Sequence, residues 1–498
     1  MAHLKPSSIV IRKILSSLAI ISLLSACVPF KSESEIYPPL QPTDEERVEI
    51  ILPTPLPTRP PYPPGTLVEY VVQTGDTLPA LAAHFNTTES EIRAANPILP
   101  NQVSTLPPGL PLQIPIYYQI FWGSPHQILP DSQFINGPSA SGFSAEDFIS
   151  GSNGWLKDYT DYLGDQNRRG GEIVDYVATI YSINPRLLLA ILEYQTGAMT
   201  MTKAEVDLDR YPLGYGDVFH LGLGRQLIWA ANTLNNGYYG WRTGDLSEFE
   251  HLDKKLERPD PWQNACTVAL QYYFSKVMDG DEYTLAISGE GLEKTYHNLF
   301  GSYLDNDLVL IPGSLSQPEL RLPFLSGRTW AFTGGPHTGW GEGAPLAAID
   351  FAPPSVTGGC SPSNEFVVAM ADGVVVRAER SMVTLDLDGD GDEHTGWVIF
   401  YLHIAAEGMV KAGTRLKSGD PVGKPSCEGG EATGTHVHIS RKYNGEWIPA
   451  DGPLAFNLEG WIAHNGPEPY KGTLTRYGQT ITASVASDIS TRIQSEIP

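Results

Sequence analysis

Histidines and an aspartate recur in short apolar segments of the C-terminal third of the chain. The run Gly434-Thr435-His436-Val437-His438-Ile439 places two histidines two residues apart. If this run is a β-strand, both side chains point to the same face, because alternate residues of a strand share a face. Neighbouring imidazoles on one face can supply a metal ligand and a proton-transfer group. Similar segments surround His337, Asp350 and His403.

A set of His, Asp and His with an open fourth position is typical of catalytic zinc sites, in which the metal activates water. The H-x-H pair alone is weak evidence, because a lone histidine is more often a satisfied polar residue than a ligand. Four histidines and an aspartate in strand-like apolar contexts favour a zinc site over that alternative.

Four motifs follow one another in the chain, namely Gly334-Gly335-Pro336-His337, Ala348-Ile349-Asp350-Phe351, Tyr401-Leu402-His403-Ile404 and the H-x-H run. Together they resemble the β-lytic branch of the lysostaphin-type zinc endopeptidases, which cut peptide bonds in peptidoglycan. The resemblance covers roughly residues 320 to 470. It implies zinc ligation by His337, Asp350 and His438, with His403 and His436 as catalytic residues that flank the metal. The long interval between His337 and Asp350 matches this branch.

An acidic loop in the same region resembles the first half of a calcium loop. Asp386, Asp388 and Asp390 have the spacing of oxygen ligands, and Gly391 allows a sharp turn. The twelfth position is Trp397 instead of the bidentate Glu of an EF-hand, and strands flank the loop. A calcium-stabilised hairpin and a solvated acidic turn both remain open.

The N-terminus is typical of an exported lipoprotein. Basic residues near the start precede an apolar stretch over residues 14–24, which is too short to span a bilayer. Leu24-Ser25-Ala26-Cys27 matches the bacterial lipoprotein cleavage box, so we expect a signal peptide over residues 1–26 and a lipid on Cys27. That lipid would anchor the protein to the outer face of the cell membrane or in the cell envelope. An ordinary secretory signal and a retained signal anchor are the alternatives.

Residues 27–66 predict a tether, because clustered prolines favour an extended polyproline spacer. The formal net charge of −24 argues against nucleic-acid binding, which needs basic surfaces. Three cysteines remain besides Cys27. Cys360 and Cys427 lie in the zinc region and are the favoured disulfide pair, which leaves Cys266 as a buried thiol.

Residues 67–117 show the order strand, helix, helix, strand. A strand ends near Thr74-Gly75-Asp76-Thr77-Leu78, and Thr88 with Glu91 predicts a capping box for the second helix. This unit resembles the LysM domain, which binds glycans that contain N-acetylglucosamine. The resemblance assigns glycan contacts to five residues, Gly75, Asp76, Thr77, Asn96 and Pro97.

Residues 140–312 predict an all-helical domain, with helices beginning at Asn184-Pro185 and Asp260-Pro261 and a third over Gly224 to Leu234. The leucine-rich run from Asn184 is similar to the signature helix of lytic transglycosylases. In that family a Glu-Ser pair protonates the glycosidic oxygen, but this chain has Gln195-Thr196 there, and an amide cannot donate that proton. We therefore expect a degenerate lysozyme-like domain, with an ordinary helical spacer as the alternative.

The expected fold class is multidomain α+β: a small βααβ domain, an all-helical middle domain and a zinc peptidase domain over residues 318–498. The last should be an antiparallel β-sheet with strands near Phe366–Ala369, Gly373–Ala378, Val398–His403 and Thr435–Ser440. His337 is placed in a loop that precedes this sheet.

The expected function is zinc-dependent hydrolysis of peptidoglycan peptides by an enzyme that a glycan-binding module targets to its substrate. A non-catalytic wall-binding scaffold or hydrolase activator is the competing hypothesis. A zinc protease that acts on exported proteins is a third.

Overall fold

A computed structural model of the chain describes residues 56–302, 308–355 and 357–496. The predicted signal peptide, Cys27 and most of the tether lie outside the described residues. Within the described ranges, none of the helices has both the length and the apolar character needed to cross a membrane.

The first domain has the predicted βααβ order, formed by β1 Thr66–Val71, α1 Leu78–His84, α2 Glu89–Ala95 and β2 Pro111–Ile116. The two strands pair antiparallel. The predicted capping box is confirmed, because Thr88 Oγ1 accepts from the Glu91 amide while the Glu91 carboxylate accepts from the Thr88 amide. A core that includes Leu81, Phe85 and Ile92 holds the helices against the two-stranded sheet.

The middle domain is mainly helical, and its helices are α3 Ala145–Ser150, α4 Gly170–Tyr181, α5 Pro185–Thr196, α6 Leu223–Thr243, α7 Ala265–Phe274, α8 Gly280–Ala286 and α9 Leu292–Phe300. Two short hairpins interrupt them, formed by β3 Thr160–Leu163 with β4 Gln166–Arg169 and by β5 Phe249–Glu250 with β6 Leu256–Glu257.

The start of α5 at Pro185 is confirmed, with Asn184 as the capping residue. The start predicted at Asp260-Pro261 is wrong by four residues. Asp260 instead closes a turn by accepting from the Trp262 amide at 3.0 Å, and Asn264 caps α7. Helix α6 continues beyond its predicted end to Thr243. Gly237 lies at its contact with α7, where a Cβ would come 2.8 Å from the Ala269 Cα.

The C-terminal domain is built on the predicted antiparallel sheet, and its strands are β7 Thr329–His337, β8 Ala348–Ala352, β9 Val367–Val368, β10 Gly373–Glu379, β11 Met382–Asp386, β12 Trp397–Leu402, β13 Arg415–Leu416, β14 Pro421–Gly423, β15 Val437–Tyr443, β16 Glu446–Trp447, β17 Asn457–Leu458, β18 Trp461–His464, β19 Thr473–Arg476, β20 Gln479–Thr482 and β21 Arg492–Gln494. The main sheet has the order β13-β10-β11-β12-β15-β8-β7-β21, with β16 paired to β15.

The main sheet packs on both faces. Val437 and Ile439 on β15 point into the core of the C-terminal domain itself. On the other face, Phe400 and Leu402 of β12 and Trp447 of β16 join the core of the helical domain. Because side chains alternate along a strand, His438 lies on the face that the helical domain covers.

Candidate metal centre

Three adjacent strands bring the predicted ligands together. His438 on β15 lies directly opposite Asp350 on β8, and β7 runs along the other side of β8. The prediction that His337 lies in a loop before the sheet is wrong, because His337 is the last residue of β7. Two register shifts between Phe332 and His337 carry the strand to this position.

The ligand atoms of His337, Asp350 and His438 converge on one point. His337 Nε2 lies 3.0 Å from His438 Nδ1 and 3.3 Å from Asp350 Oδ1, and His438 Nδ1 lies 3.5 Å from the same oxygen. The three residues are 2%, 6% and 7% exposed in the order His337, Asp350, His438. This buried cluster is one of the two sets of potential metal ligands among the described residues.

The donor set fits a tetrahedral divalent metal such as zinc. His337 Nδ1 donates to the Gly335 carbonyl at 2.8 Å and His438 Nε2 donates to the Gly339 carbonyl at 3.2 Å, so the remaining nitrogens present lone pairs to the shared point. Asp350 Oδ1 is buried there without a hydrogen bond. Ligands about 2.0–2.1 Å from a tetrahedral zinc are roughly 3.3 Å apart, which matches these separations.

The glycine pair in the GGPH motif is required by close approaches. A Cβ on Gly334 would lie 2.4 Å from Asp350 Oδ2, and one on Gly335 would lie 2.1 Å from the Gly472 amide nitrogen. Both distances are too short for any side chain. The motif therefore gives the ligand carboxylate the space that it occupies beside β7.

Electrostatics keep the ligand carboxylate ionised. Burial acts to raise the pKa of Asp350, but the surrounding imidazoles, His337 first, outweigh burial and hold the pKa well below its usual range.

The two histidines predicted to be catalytic flank this cluster. His436 Nδ1 donates to the Gly434 carbonyl at 2.7 Å, and its Nε2 lies 3.9 Å from Asp350 Oδ1. His403 Nδ1 donates to the Glu428 carbonyl at 2.8 Å, and the two rings are 4.4 Å apart between centroids. Burial and the neighbouring His436 lower the pKa of His403 to about 4, so its ring is neutral near pH 7.

Tyr470 is a site residue that sequence reasoning missed. Its ring stacks on His337 with centroids 4.0 Å apart, and its backbone has a φ of 70°, in the left-handed region that non-glycine residues rarely adopt. Its carbonyl accepts from the Gly335 amide at 3.0 Å. The only sequence signal is the turn-rich segment around it, which does not indicate this contact.

The acidic loop brings Asp386, Asp388 and Asp390 together as predicted. Asp386 is fully buried and accepts from the backbone amides of Asp388, Gly389 and Gly391. Burial and the neighbouring Asp386 raise the pKa of Asp388 to about 6. These backbone amides satisfy the buried Asp386 carboxylate within the turn itself, and calcium binding stays a prediction.

Cysteine pairing follows the prediction. A disulfide joins Cys360 to Cys427, and Cys266 is a buried free thiol in α7. The disulfide holds two segments beside the histidines predicted to be catalytic, because Ser426 pairs with His436 and the Gly359 carbonyl accepts from the Thr435 amide.

The first predicted glycan-binding loop lies against the helical domain. A Cβ on Gly75 would be 2.6 Å from Arg242 Nη1, and Asp76 is buried with its carboxylate accepting from the Tyr70 hydroxyl at 2.7 Å. Thr77 caps α1. In the second loop, Asn96 is buried and bonds to the backbone of Ile92 and Gln113, whereas Pro97 and Ile98 are exposed.

Gln195 in the helical domain makes structural bonds. Its Oε1 accepts from the Tyr273 hydroxyl at 2.6 Å, and its Nε2 donates to the Leu213 carbonyl at 3.2 Å. Glu193 accepts from the Met199 amide and the Thr200 hydroxyl at the end of α5. The degenerate lysozyme-like relationship of this domain stays a prediction.

Three segments of the chain match known families. Residues 70–115 match the LysM domain, residues 127–312 match the LasA N-terminal domain, and residues 356–449 match peptidase family M23. The protease LasA of Pseudomonas aeruginosa is 24% identical over 345 residues, which are 65% of this chain and 75% of that protein.

The β-lytic metalloendopeptidase of Lysobacter enzymogenes is 27% identical over 135 residues, which are 27% of this chain and 74% of that protein. A solved structure of pseudoalterin, an M23 metalloprotease from the deep sea, aligns with 34% of this chain and 96% of its own at 22% identity and a TM-score of 0.29. The chain thus carries a LysM domain, a LasA N-terminal domain and a peptidase family M23 domain, and it is homologous to LasA and to the β-lytic metalloendopeptidase.

Proposed function

We propose that this protein is a zinc-dependent endopeptidase of the cell envelope that hydrolyses peptide bonds in peptidoglycan. The observation that carries the proposal is the convergence of His337, Asp350 and His438 on one buried point, with His403 and His436 beside it. The M23 and LysM matches support the same function.

Zinc is the metal that this donor set favours, because two imidazoles and a carboxylate suit it well. When bound, zinc acts as a Lewis acid that makes water nucleophilic near neutral pH and polarises a carbonyl. His337 and His438 would hold it through Nε2 and Nδ1, and Asp350 through Oδ1. The backbone bonds of both histidines fix these nitrogens in place before a metal arrives.

His436 and His403 supply the proton transfer in this mechanism. Each donates its Nδ1 proton to a backbone carbonyl, so each keeps a basic Nε2. His436 Nε2 is the nearer to the ligand carboxylate and is the better placed to take a proton from water and return it to the leaving amine. His403 packs against the His436 ring and is neutral at working pH, so it can share this role.

The test combines metal content with product analysis. Purified protein should contain about one zinc per chain, clear a suspension of purified cell walls, and lose both properties after chelation. Mass spectrometry of the released fragments should show cleaved peptides with intact glycan strands. Protein that binds zinc, yet releases nothing from cell walls of any peptide type, would contradict the proposal.

The LysM domain and the N-terminal lipid would set where the enzyme works. Pro97 and Ile98 leave part of the second loop open to a glycan, while contact at Gly75 and Asp76 requires the domain to separate from helix α6. We propose that Cys27 carries the lipid that anchors the protein to the membrane.

The lipid proposal has its own test. Cys27→Ala should abolish incorporation of labelled fatty acid, because the thiol that would carry the lipid is removed. Incorporation of the label into the Ala variant would contradict it.

A non-catalytic scaffold that binds the wall is the competing function. Loss of a metal ligand would favour a scaffold, but all three predicted ligands are present and converge in this chain. The wall-clearing assay separates the two functions, because a scaffold would bind cell walls without releasing peptides.

A further inference from the structure

Helix α6 of the helical domain touches a loop of the peptidase domain that begins beside the metal centre. The loop comprises residues 339–345, between the ligands His337 and Asp350. It closes on itself through a bond from the Gly339 amide to the Pro345 carbonyl at 3.0 Å. Its tip is the sequence Gly341-Glu342-Gly343-Ala344.

Two asparagines of α6 hold this tip. Asn232 Oδ1 accepts from the Glu342 amide and Asn236 Oδ1 accepts from the Ala344 amide, each at 2.7 Å. The two side chains share one face of the helix because they are four residues apart. The oxygens therefore replace hydrogen bonds that the loop backbone would otherwise make to water.

The loop is shaped to receive these two side chains. A Cβ on Gly341 would lie 2.5 Å from Asn232 Oδ1, and a Cβ on Gly343 would lie 2.2 Å from Asn236 Oδ1. Both glycines also have positive φ angles, of 80° and 85°, which other residues adopt only with strain. The contact therefore depends on both domains.

The other end of the loop touches a metal ligand. The Gly339 carbonyl accepts from His438 Nε2 at 3.2 Å, which leaves Nδ1 facing His337 and Asp350. A carbonyl that orients a ligand histidine in this way typically contributes 10- to 100-fold to metal affinity. The position of Gly339 is in turn fixed by the closure of the loop.

We propose that Asn232 and Asn236 are positioning residues for the peptidase site, and that they act through the loop on the orientation of His438. The helical domain is then part of the enzyme and not a spacer. This inference rests on the proposed function, because it assigns the two residues to the same site.

The test compares two double variants. Asn232→Leu with Asn236→Leu keeps the side-chain size and removes both acceptors, whereas Asn232→Asp with Asn236→Asp keeps an acceptor oxygen at each position. In the Leu pair, the Glu342 and Ala344 amides should exchange hydrogen at least ten times faster. Zinc affinity, measured by competition with a chelator, should fall by about 10-fold. The Asp pair should keep most of the wild-type protection from amide exchange and most of the wild-type zinc affinity.

A change on the loop side should have the same effect. Gly343→Ala places a methyl group against Asn236, so amide exchange should speed up and zinc affinity should fall while helix α6 is unaltered. This variant also replaces the Leu pair if that pair does not fold.

Two results would overturn the inference. One is a folded Leu pair with wild-type zinc affinity and kcat, even if its melting temperature is lower, because the role would then be structural only. The other is a loss of zinc affinity in the Leu pair that is equally large in the Asp pair. Failure of the proposed function is distinguishable, since the wild-type protein would then not hydrolyse cell walls at all.

Discussion

At the scale of single residues, the hydrogen bond on one ring nitrogen decides what each histidine can do. His438 uses Nε2 for a backbone carbonyl and keeps Nδ1 for the shared point, whereas His436 uses Nδ1 and keeps Nε2. His438 lies in β15 and His436 just before it, and both rings face the Asp350 carboxylate, yet they present different atoms. This difference underlies the assignment of one as ligand and the other as proton carrier.

Substitution of these two histidines tests the assignment. His438→Ala should lower bound zinc and hydrolysis together. His436→Ala should leave zinc bound while kcat falls by about 100-fold or more, because general acid–base groups contribute about 10²–10⁴ in rate. Metal analysis and kcat of both variants are the measurements. Equal zinc loss in both would show that the division is wrong, and full activity in both would place the site elsewhere.

Gln195 gives a second prediction for a single residue. Gln195→Glu should not create glycosidase activity, because the side chain at this position is held by the Tyr273 hydroxyl and the Leu213 carbonyl. Analysis of glycan products from purified cell walls is the measurement. Fragments with anhydro ends from the wild-type protein would contradict the degenerate-domain interpretation.

At the scale of secondary-structure elements, the contact between α1 of the LysM domain and α6 depends on an uncharged histidine. The His84 ring stacks on Trp241 with centroids 3.5 Å apart, and its Nε2 donates to the Trp241 carbonyl at 2.9 Å. Burial lowers the pKa of His84 to about 3, and the Arg242 charge adds to this effect. Protonation would place a positive charge beside Arg242.

The pH dependence of stability follows from that shift. The pKa of His84 is lower in the folded than in the unfolded protein. Its contribution to the free energy of unfolding is therefore complete above pH 6.5 and is lost as pH falls towards 3. The stability difference between wild type and His84→Gln should therefore shrink on acidification, by at most about 1.4 kcal/mol per pH unit. Urea unfolding of both at pH 7 and pH 4 measures it.

The comparison with His84→Gln is needed because a nearby group acts in the opposite direction. Burial raises the pKa of Asp76 to about 6, so its contribution favours the folded protein at low pH and is lost as pH rises through 6. If wild type and His84→Gln differ in free energy of unfolding by the same amount at pH 7 and pH 4, His84 is not held neutral.

At the scale of the whole molecule, one buried arginine ties the three domains together. Arg242 of α6 pairs with Asp131 at 3.1 Å and with Glu446 of the peptidase domain at 3.0 Å, and it donates to the Thr74 carbonyl of the LysM domain. All three charged side chains are less than 9% exposed. Their pairing compensates for the cost of burying them.

Removal of this arginine should destabilise the protein strongly. Arg242→Met should lower the free energy of unfolding by about 3–5 kcal/mol, because Asp131 and Glu446 would stay buried without their partner. Denaturant unfolding is the measurement. Lys294→Met, which breaks the exposed pair with Glu290, is the control and should cost less than about 1 kcal/mol. Equal effects in the two variants would contradict the role of Arg242.

The sequence by itself determined the features that depend on local chemistry. The capping box at Thr88 and the start of α5 at Pro185 were predictable, because each needs only residues a few positions apart. The two-residue spacing in extended backbone likewise predicted that His436, just before β15, and His438, in β15, approach the same site. The ligand and proton-transfer candidates then followed from the resemblance of the motifs.

Only the tertiary structure decided how distant segments meet. Two register shifts in β7 carry His337 into the sheet beside Asp350. Gly334 leaves space for the Asp350 carboxylate, but the motif does not show which distant residue fills that space. Asn232 bonds to Glu342 across 110 positions, and Arg242 reaches Glu446 across 204. Such contacts depend on the packing of whole domains, so local sequence patterns cannot predict them.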